Sequence, residues 1–220
     1  MNDTHYGHPM EPDEIESAVR SERLNLCDYL DGLTEPQWAT QSLCSAWTVR
    51  EVAAHLTVTT RATIPFVIRS AIKARGSFDR MTANVARDRA AQFATADLVQ
   101  QLRDSADSSR RIVGSGPMDP LMDMLIHGQD IARPLNRPRA MGTDVALAAL
   151  EYVAPNRFLG GLKRVGGLEL VATDAEWSTG EGPTVRGTAE DLLLVAAGRT
   201  AALPHLTGPG VDALTARLAT

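Results

Sequence analysis

The chain has 220 residues, with 22 basic and 27 acidic side chains and a formal charge of -5. Hydrophobic residues make up 44% of it, ordinary for a globular protein, and the length supports one large domain or two modest ones. Its Lys and Arg are scattered, which excludes the clustered basic stripe that nucleic acid requires, and no run of about 18 apolar residues could span a bilayer.

Residues 1–11 read as a disordered leader. They are polar and hold no apolar stretch of the signal-peptide kind, so a cytoplasmic location is expected. The first helix is expected over about 12–32, where Ile15, Val19, Leu26, Leu30 and Leu33 form one stripe. Pro12 suits its first turn and Gly32 its end. Cys27 and Cys44 are the only cysteines. Two cytosolic cysteines are expected as buried thiols rather than a disulfide, and they are too few for a Cys-rich zinc site.

A second helix starts at Thr48. Thr48 and Glu51 have capping-box spacing, and Trp47 can staple onto Val52. Val49, Val52, Ala53 and Leu56 form its apolar face, and Pro65 is expected to kink or end it. Further helix is expected over 82–94 and 97–113, with Val85, Phe93, Val99, Leu102 and Val113 as core positions. After the Gly114–Pro117 break, Asp119 is expected to cap a helix that has Pro120 at its first position and ends before Pro134.

The Pro- and Arg-bearing stretch 134–142 predicts a domain boundary, giving a domain over 12–140 and another over 141–220. In the second, Asp144 is expected to cap a helix over 145–153. Leu168, Leu170 and Ala172 alternate with Glu169 and Val171 as in a strand, and 184–186 reads as another. Thr188 and Asp191 resemble a capping box for a helix through Ala196, and Gly208-Pro209-Gly210 precedes a last short helix. The fold class expected is mainly α with a small α+β part.

Only five histidines are present. His5 and His8 lie in the leader, and His205 follows Pro204 in a loop expected to be exposed. His55 and His127 both fall in helices. Asp123 and His127 are spaced i, i+4 and share a helix face, with Asp130 three residues on. Leu121, Met124, Leu125 and Ile131 lie opposite. By itself this pattern also describes an amphipathic surface helix with an Asp–His pair in solvent, and a lone His55 beside Val52 and Leu56 also fits a hydrogen-bonded core histidine. Together, two His and one carboxylate from two helices form a three-ligand set that leaves a coordination position open. Zinc and non-haem iron both use such a set, and spacing does not choose between them.

The stretch from Leu43 to Leu56, with Trp47-Thr48-Val49 and His55-Leu56, resembles the signature of the mycothiol-dependent maleylpyruvate isomerase family, a group of DinB-like metal-binding bundles. Asp123 to Ala132 resembles that family's acid-x-x-x-His-Gly-x-Asp helix. Leu168 to Asp174, Trp177, Gly182-Pro183, Gly187 and Leu192 to Arg199 are similar to its small C-terminal domain. The resemblance spans nearly the whole chain in order.

The resemblance implies a DinB-like four-helix bundle followed by a C-terminal α+β domain that helps close the site. It makes His55, Asp123 and His127 the ligands of a divalent metal, zinc being usual, and mycothiol a thiol cosubstrate. The family's acid is Glu; the Asp here sets the carboxylate roughly 1–1.5 Å back toward its helix. Asp130 is placed behind His127 on its other ring nitrogen, although a surface acid at the helix end has the same pattern. Cys44 is expected as a small buried residue. Arg199 is implied as the arginine that meets a substrate carboxylate, where a C-capping arginine would also fit. The function implied is isomerisation or S-transfer on a small electrophile. The alternative is a non-enzymatic metal-binding protein of the same fold.

Overall fold

The computed structural model describes residues 10–112 and 114–219. His5, His8, the leader over 1–9 and the core assignment of Val113 lie outside the described residues. The chain packs as two compact units, residues 12–139 and residues 140–219 with 10 and 11. The fold is mainly α with one small three-stranded sheet.

The first unit contains α1 (Pro12–Asp31), α2 (Glu35–Trp38), α3 (Val49–Leu56), α4 (Ile64–Lys73), α5 (Phe78–Gln92), α6 (Thr95–Asp104) and α7 (Asp119–Ala132). Helix α1 packs on α6 and α7, and α3 packs on the same two, so these four close a ring. Helix α5 lies against α3. The apolar stripes explain the arrangement: Leu26 and Leu30 of α1, Val49, Val52 and Leu56 of α3, Leu102 of α6 and Met124 of α7 share one buried cluster. Each buried Leu or Val side chain contributes about 1.5–3 kcal/mol of transfer free energy.

Helix α1 also buries charge that its stripe did not disclose. Arg23 is 1% exposed, and its Nη1 donates to the carbonyls of Ser105 and Ser108 at 2.7 and 2.8 Å. These carbonyls lie just past the end of α6, which therefore stops at Asp104 rather than running to residue 113. Glu22, also buried, pairs with Arg139.

Pro65 does not end α3. The helix has already stopped at Leu56, and Pro65 sits in the first turn of α4, where proline costs no hydrogen bond. Thr63 caps α4 through the Phe66 N–H. No residue of α4 is fully buried, and Ile64, Ile68 and Ile72 form an exposed ridge along it. Asp119 is the first helical residue of α7 rather than its cap, and its Oδ2 accepts the Gly116 N–H at 2.8 Å.

The second unit contains α8 (Thr143–Val153), α9 (Gly161–Val165), β1 (Glu169–Ala172), β2 (Ser178–Thr179), β3 (Thr184–Gly187), α10 (Ala189–Ala196), a 3-10 turn over Thr200–His205 and α11 (Val211–Leu218). Its sheet has the order β2-β1-β3, with β1 antiparallel to β2 and parallel to β3. Leu168, Leu170 and Ala172 are buried in alternation, as the sequence pattern requires. Gly142 occupies the cap of α8, and Asp144 lies in its first turn. Thr188 caps α10 by accepting the Asp191 N–H at 3.2 Å. Gly182 has φ 126°, and a Cβ there would stand 2.3 Å from the Gly167 carbonyl oxygen, so only glycine fits. Short α2, α9 and β2 lack a periodic stripe long enough to read from sequence, whereas α4 carries one in Ile64, Ile68 and Ile72 that the reading of Pro65 as a break concealed.

Candidate metal centre

His55 stands on the last turn of α3. The helix is held at its start by the expected capping box: the Thr48 hydroxyl accepts the Glu51 N–H, and the Glu51 carboxylate accepts the Thr48 N–H at 2.7 Å. Ahead of the cap, Ser42 Oγ and Gln41 Nε2 both donate to the Trp47 carbonyl, at 2.7 and 2.6 Å. The Leu43 N–H donates to the Asp130 carbonyl at 3.0 Å, which ties this loop to the end of α7. Trp47 and Cys44 are thereby fixed beside the two histidines.

The expected polar face of α7 is not a solvent face. Eleven of its 14 residues are buried, and the helix is enclosed by its neighbours. Asp123 and His127, one turn apart, turn inward with His55. One ligand atom from each of His55, Asp123 and His127 falls within 4.8 Å of the others. The two imidazoles meet edge to face, with centroids 5.0 Å apart and planes at 78°. Two nitrogens and a carboxylate oxygen at this separation suit a divalent ion, whose bonds to such ligands run about 2.0–2.2 Å.

Asp130 is wholly buried, so the surface-acid alternative does not hold. Its Oδ2 lies 2.8 Å from His127 Nδ1. With the proton assigned to Nδ1 by that bond, Nε2 is the nitrogen left for a metal. Cys44 donates its S–H to the same Oδ2 at 3.1 Å, and its sulfur lies 3.8 Å from Nδ1. Cys44 is therefore part-buried and joined to the histidine's support, not simply a small core residue. Cys44, His127 and Asp130 form a second close set of ligating groups, held by these hydrogen bonds. Neither cysteine is in a disulfide, and burial pushes Cys27 up to about 11.

Burial opposes charge on both histidines, and their neighbours separate them. At His127 desolvation is outweighed by Asp130 and Cys44, and its pKa rises to about 10. At His55 desolvation dominates and the charge of His127 adds to it, lowering the pKa to about 3. His55 is thus neutral at any working pH. His127 must give up a proton to bind a metal.

Trp47 forms a wall of the cluster. Its indole stacks on His55, with ring centroids 4.9 Å apart and planes at 26°, and lies 5.9 Å from the His127 ring. Trp47 is 8% exposed, and its Nε1 is buried without a hydrogen-bond partner among the described residues. Such an N–H costs about 1–3 kcal/mol. Sequence reading gave Trp47 only a packing role, because an indole before a cap is explained by a staple alone.

The remaining candidates lie in the second unit. Arg199 Nη1 donates to the Ala197 carbonyl at 2.7 Å, at the end of α10, and Arg164 donates to the Ala196 carbonyl nearby. His205 is 57% exposed, with Nδ1 3.2 Å from Asp191 Oδ1.

Residues 19–120 match the family model described as the mycothiol maleylpyruvate isomerase N-terminal domain. The fold is similar to a crystal structure of the mycothiol-dependent maleylpyruvate isomerase, with TM-score 0.60 and 14% identity, covering 91% of this chain and 93% of that one. A His-to-Ala mutant of that isomerase matches over the same shares, with TM-score 0.60 and 13% identity. No curated protein sequence matches the chain. Among the described residues no helix is long and apolar enough to cross a membrane.

Proposed function

We propose, for a chain whose residues 19–120 match the mycothiol maleylpyruvate isomerase N-terminal domain and whose fold is similar to that isomerase over 91% of its length, that it is a cytoplasmic, metal-dependent enzyme of thiol chemistry. It uses mycothiol to isomerise a small electrophile or to transfer a sulfur to it. The observation that carries this reading is the convergence of His55, Asp123 and His127 within 4.8 Å.

These three residues would hold one divalent ion, zinc by preference. Three protein ligands leave a position for a further ligand, as in catalytic rather than structural sites. A bound ion would supply positive charge that favours the thiolate of a coordinated thiol. Asp130 keeps the His127 proton on Nδ1 and fixes the ring. Trp47, stacked on His55, limits water at that side. Asp123 brings a carboxylate shorter by one methylene than the Glu of the family's pattern. Arg199 is assigned the carboxylate of the electrophile, the group a guanidinium pairs best.

The test is cobalt substitution followed by mycothiol titration. A sulfur-to-cobalt charge-transfer band, then turnover of maleylpyruvate or another electrophile, supports the enzyme. Arg199→Ala should keep the metal and the thiol band while losing turnover. Absence of thiol binding at millimolar concentration would overturn the reading and leave a metal-binding protein without thiol chemistry.

A further inference from the structure

Trp47 carries an indole N–H that no group among the described residues accepts. Buried donors are nearly always paired, and an exception at a site calls for a specific reason. This one belongs to a ring in contact with both histidines of the metal set: it stacks on His55 and tilts against His127. The ring is buried and packed against both histidines, which leaves little room to turn the donor elsewhere, and the backbone that carries it is fixed. Ser42 and Gln41 clamp its backbone carbonyl, and its backbone N–H donates to the Cys44 carbonyl at 2.9 Å.

We infer that Trp47 is a ligand-binding residue, its Nε1–H donating to the sulfur of the thiol held in the open metal position. The inference rests on the proposed thiol chemistry. A thiolate sulfur is an anionic acceptor, and a charge-assisted bond from a rigid donor is stronger than a neutral one. The donor favours the thiolate over the thiol, which has less negative charge to offer. Trp47 therefore does two separable things: its ring face packs on His55, and its edge binds ligand.

Full-length zinc-loaded protein tests this by NMR. The chain has three tryptophans, so three indole N–H signals are expected, and Trp47→Phe identifies one by its loss. Adding 2-mercaptoethanol should move that signal downfield and slow its exchange, while the other two stay. In cobalt-loaded protein, Trp47→Phe should keep the d–d spectrum of the bound metal and weaken 2-mercaptoethanol and mycothiol alike, by about tenfold. If Trp47→Phe fails to fold or to hold metal, benzothienylalanine at the same position keeps the ring shape without the N–H and should give the same weakening. An unmoved signal, or equal thiol affinities with and without the donor, overturns the inference. Weakening of mycothiol alone puts the contact elsewhere on that molecule and overturns the sulfur assignment. If the unsubstituted protein binds neither thiol, the proposed function fails and takes this inference with it. A loss confined to the variants leaves the proposed function intact.

Discussion

His127 Nδ1 and Asp130 Oδ2 lie 2.8 Å apart, three residues along α7, with Asp130 fully enclosed. Under the proposed metal reading, a carboxylate buried at this position holds the His127 proton on one nitrogen and points the other at the ion. Asp130→Asn should therefore lower zinc affinity by about 10–100-fold while His55, Asp123 and His127 remain in place. Competition with a chromophoric chelator measures it. Unchanged affinity would show that Asp130 serves packing alone.

One zinc per chain is expected, and the ligands are separable from His205. His55→Ala or His127→Ala should abolish binding measured by elemental analysis. His205→Ala should retain full occupancy, since His205 pairs with Asp191 in the other unit. Retention of zinc by His127→Ala would sink the ligand assignment.

Zinc uptake should release about one proton near neutral pH. The sign follows from His127, raised to about 10, against about 6.5 in an unfolded chain. In the metal-free protein the paired, protonated ring contributes stability that is complete below about pH 6.5 and lost as pH rises towards 10. The ion would compete with the Nε2 proton of that ring, so zinc affinity rises through that window. His55, lowered to about 3, adds no proton there. Its own effect runs the other way, destabilising the fold as pH falls from about 6.5 towards 3. Calorimetry in two buffers of different ionisation enthalpy counts the proton; a count of zero contradicts the assignment.

Chelation should leave the helices intact at room temperature and lower the melting temperature. The ring of α1, α3, α6 and α7 has a core of its own in Leu26, Leu30, Val52, Leu56, Leu102 and Met124, unlike small domains that fold only around metal. Zinc binds the native state preferentially and so raises its melting point. Loss of helical circular dichroism on chelation would mean that the ligands, not the core, hold the bundle.

What the sequence determined by itself is local and periodic. The stripe of α1, the Thr48–Glu51 box, the alternation of Leu168, Leu170 and Ala172, and the i, i+4 pair of Asp123 and His127 are all short-range patterns. A helix or strand repeats them faithfully. The joining of His55 to that pair was suggested by residue type, two His and one carboxylate on two helices, and was strengthened by two motifs that resembled one family. Tertiary structure decided what depends on the other side of the helix. Asp130 and His127 could equally have faced solvent until α3 and the loop at 42–47 covered them. Cys44 became a partner of Asp130 because a backbone bond from Leu43 pulls its loop onto α7. Pro65 read as a terminator, since proline stops a helix at interior positions, and whether a new helix starts there rests on a cap at Thr63 that sequence alone leaves open. The unpaired indole of Trp47 was out of reach altogether. A missing hydrogen-bond partner is a property of everything around a group, and no spacing along the chain encodes it.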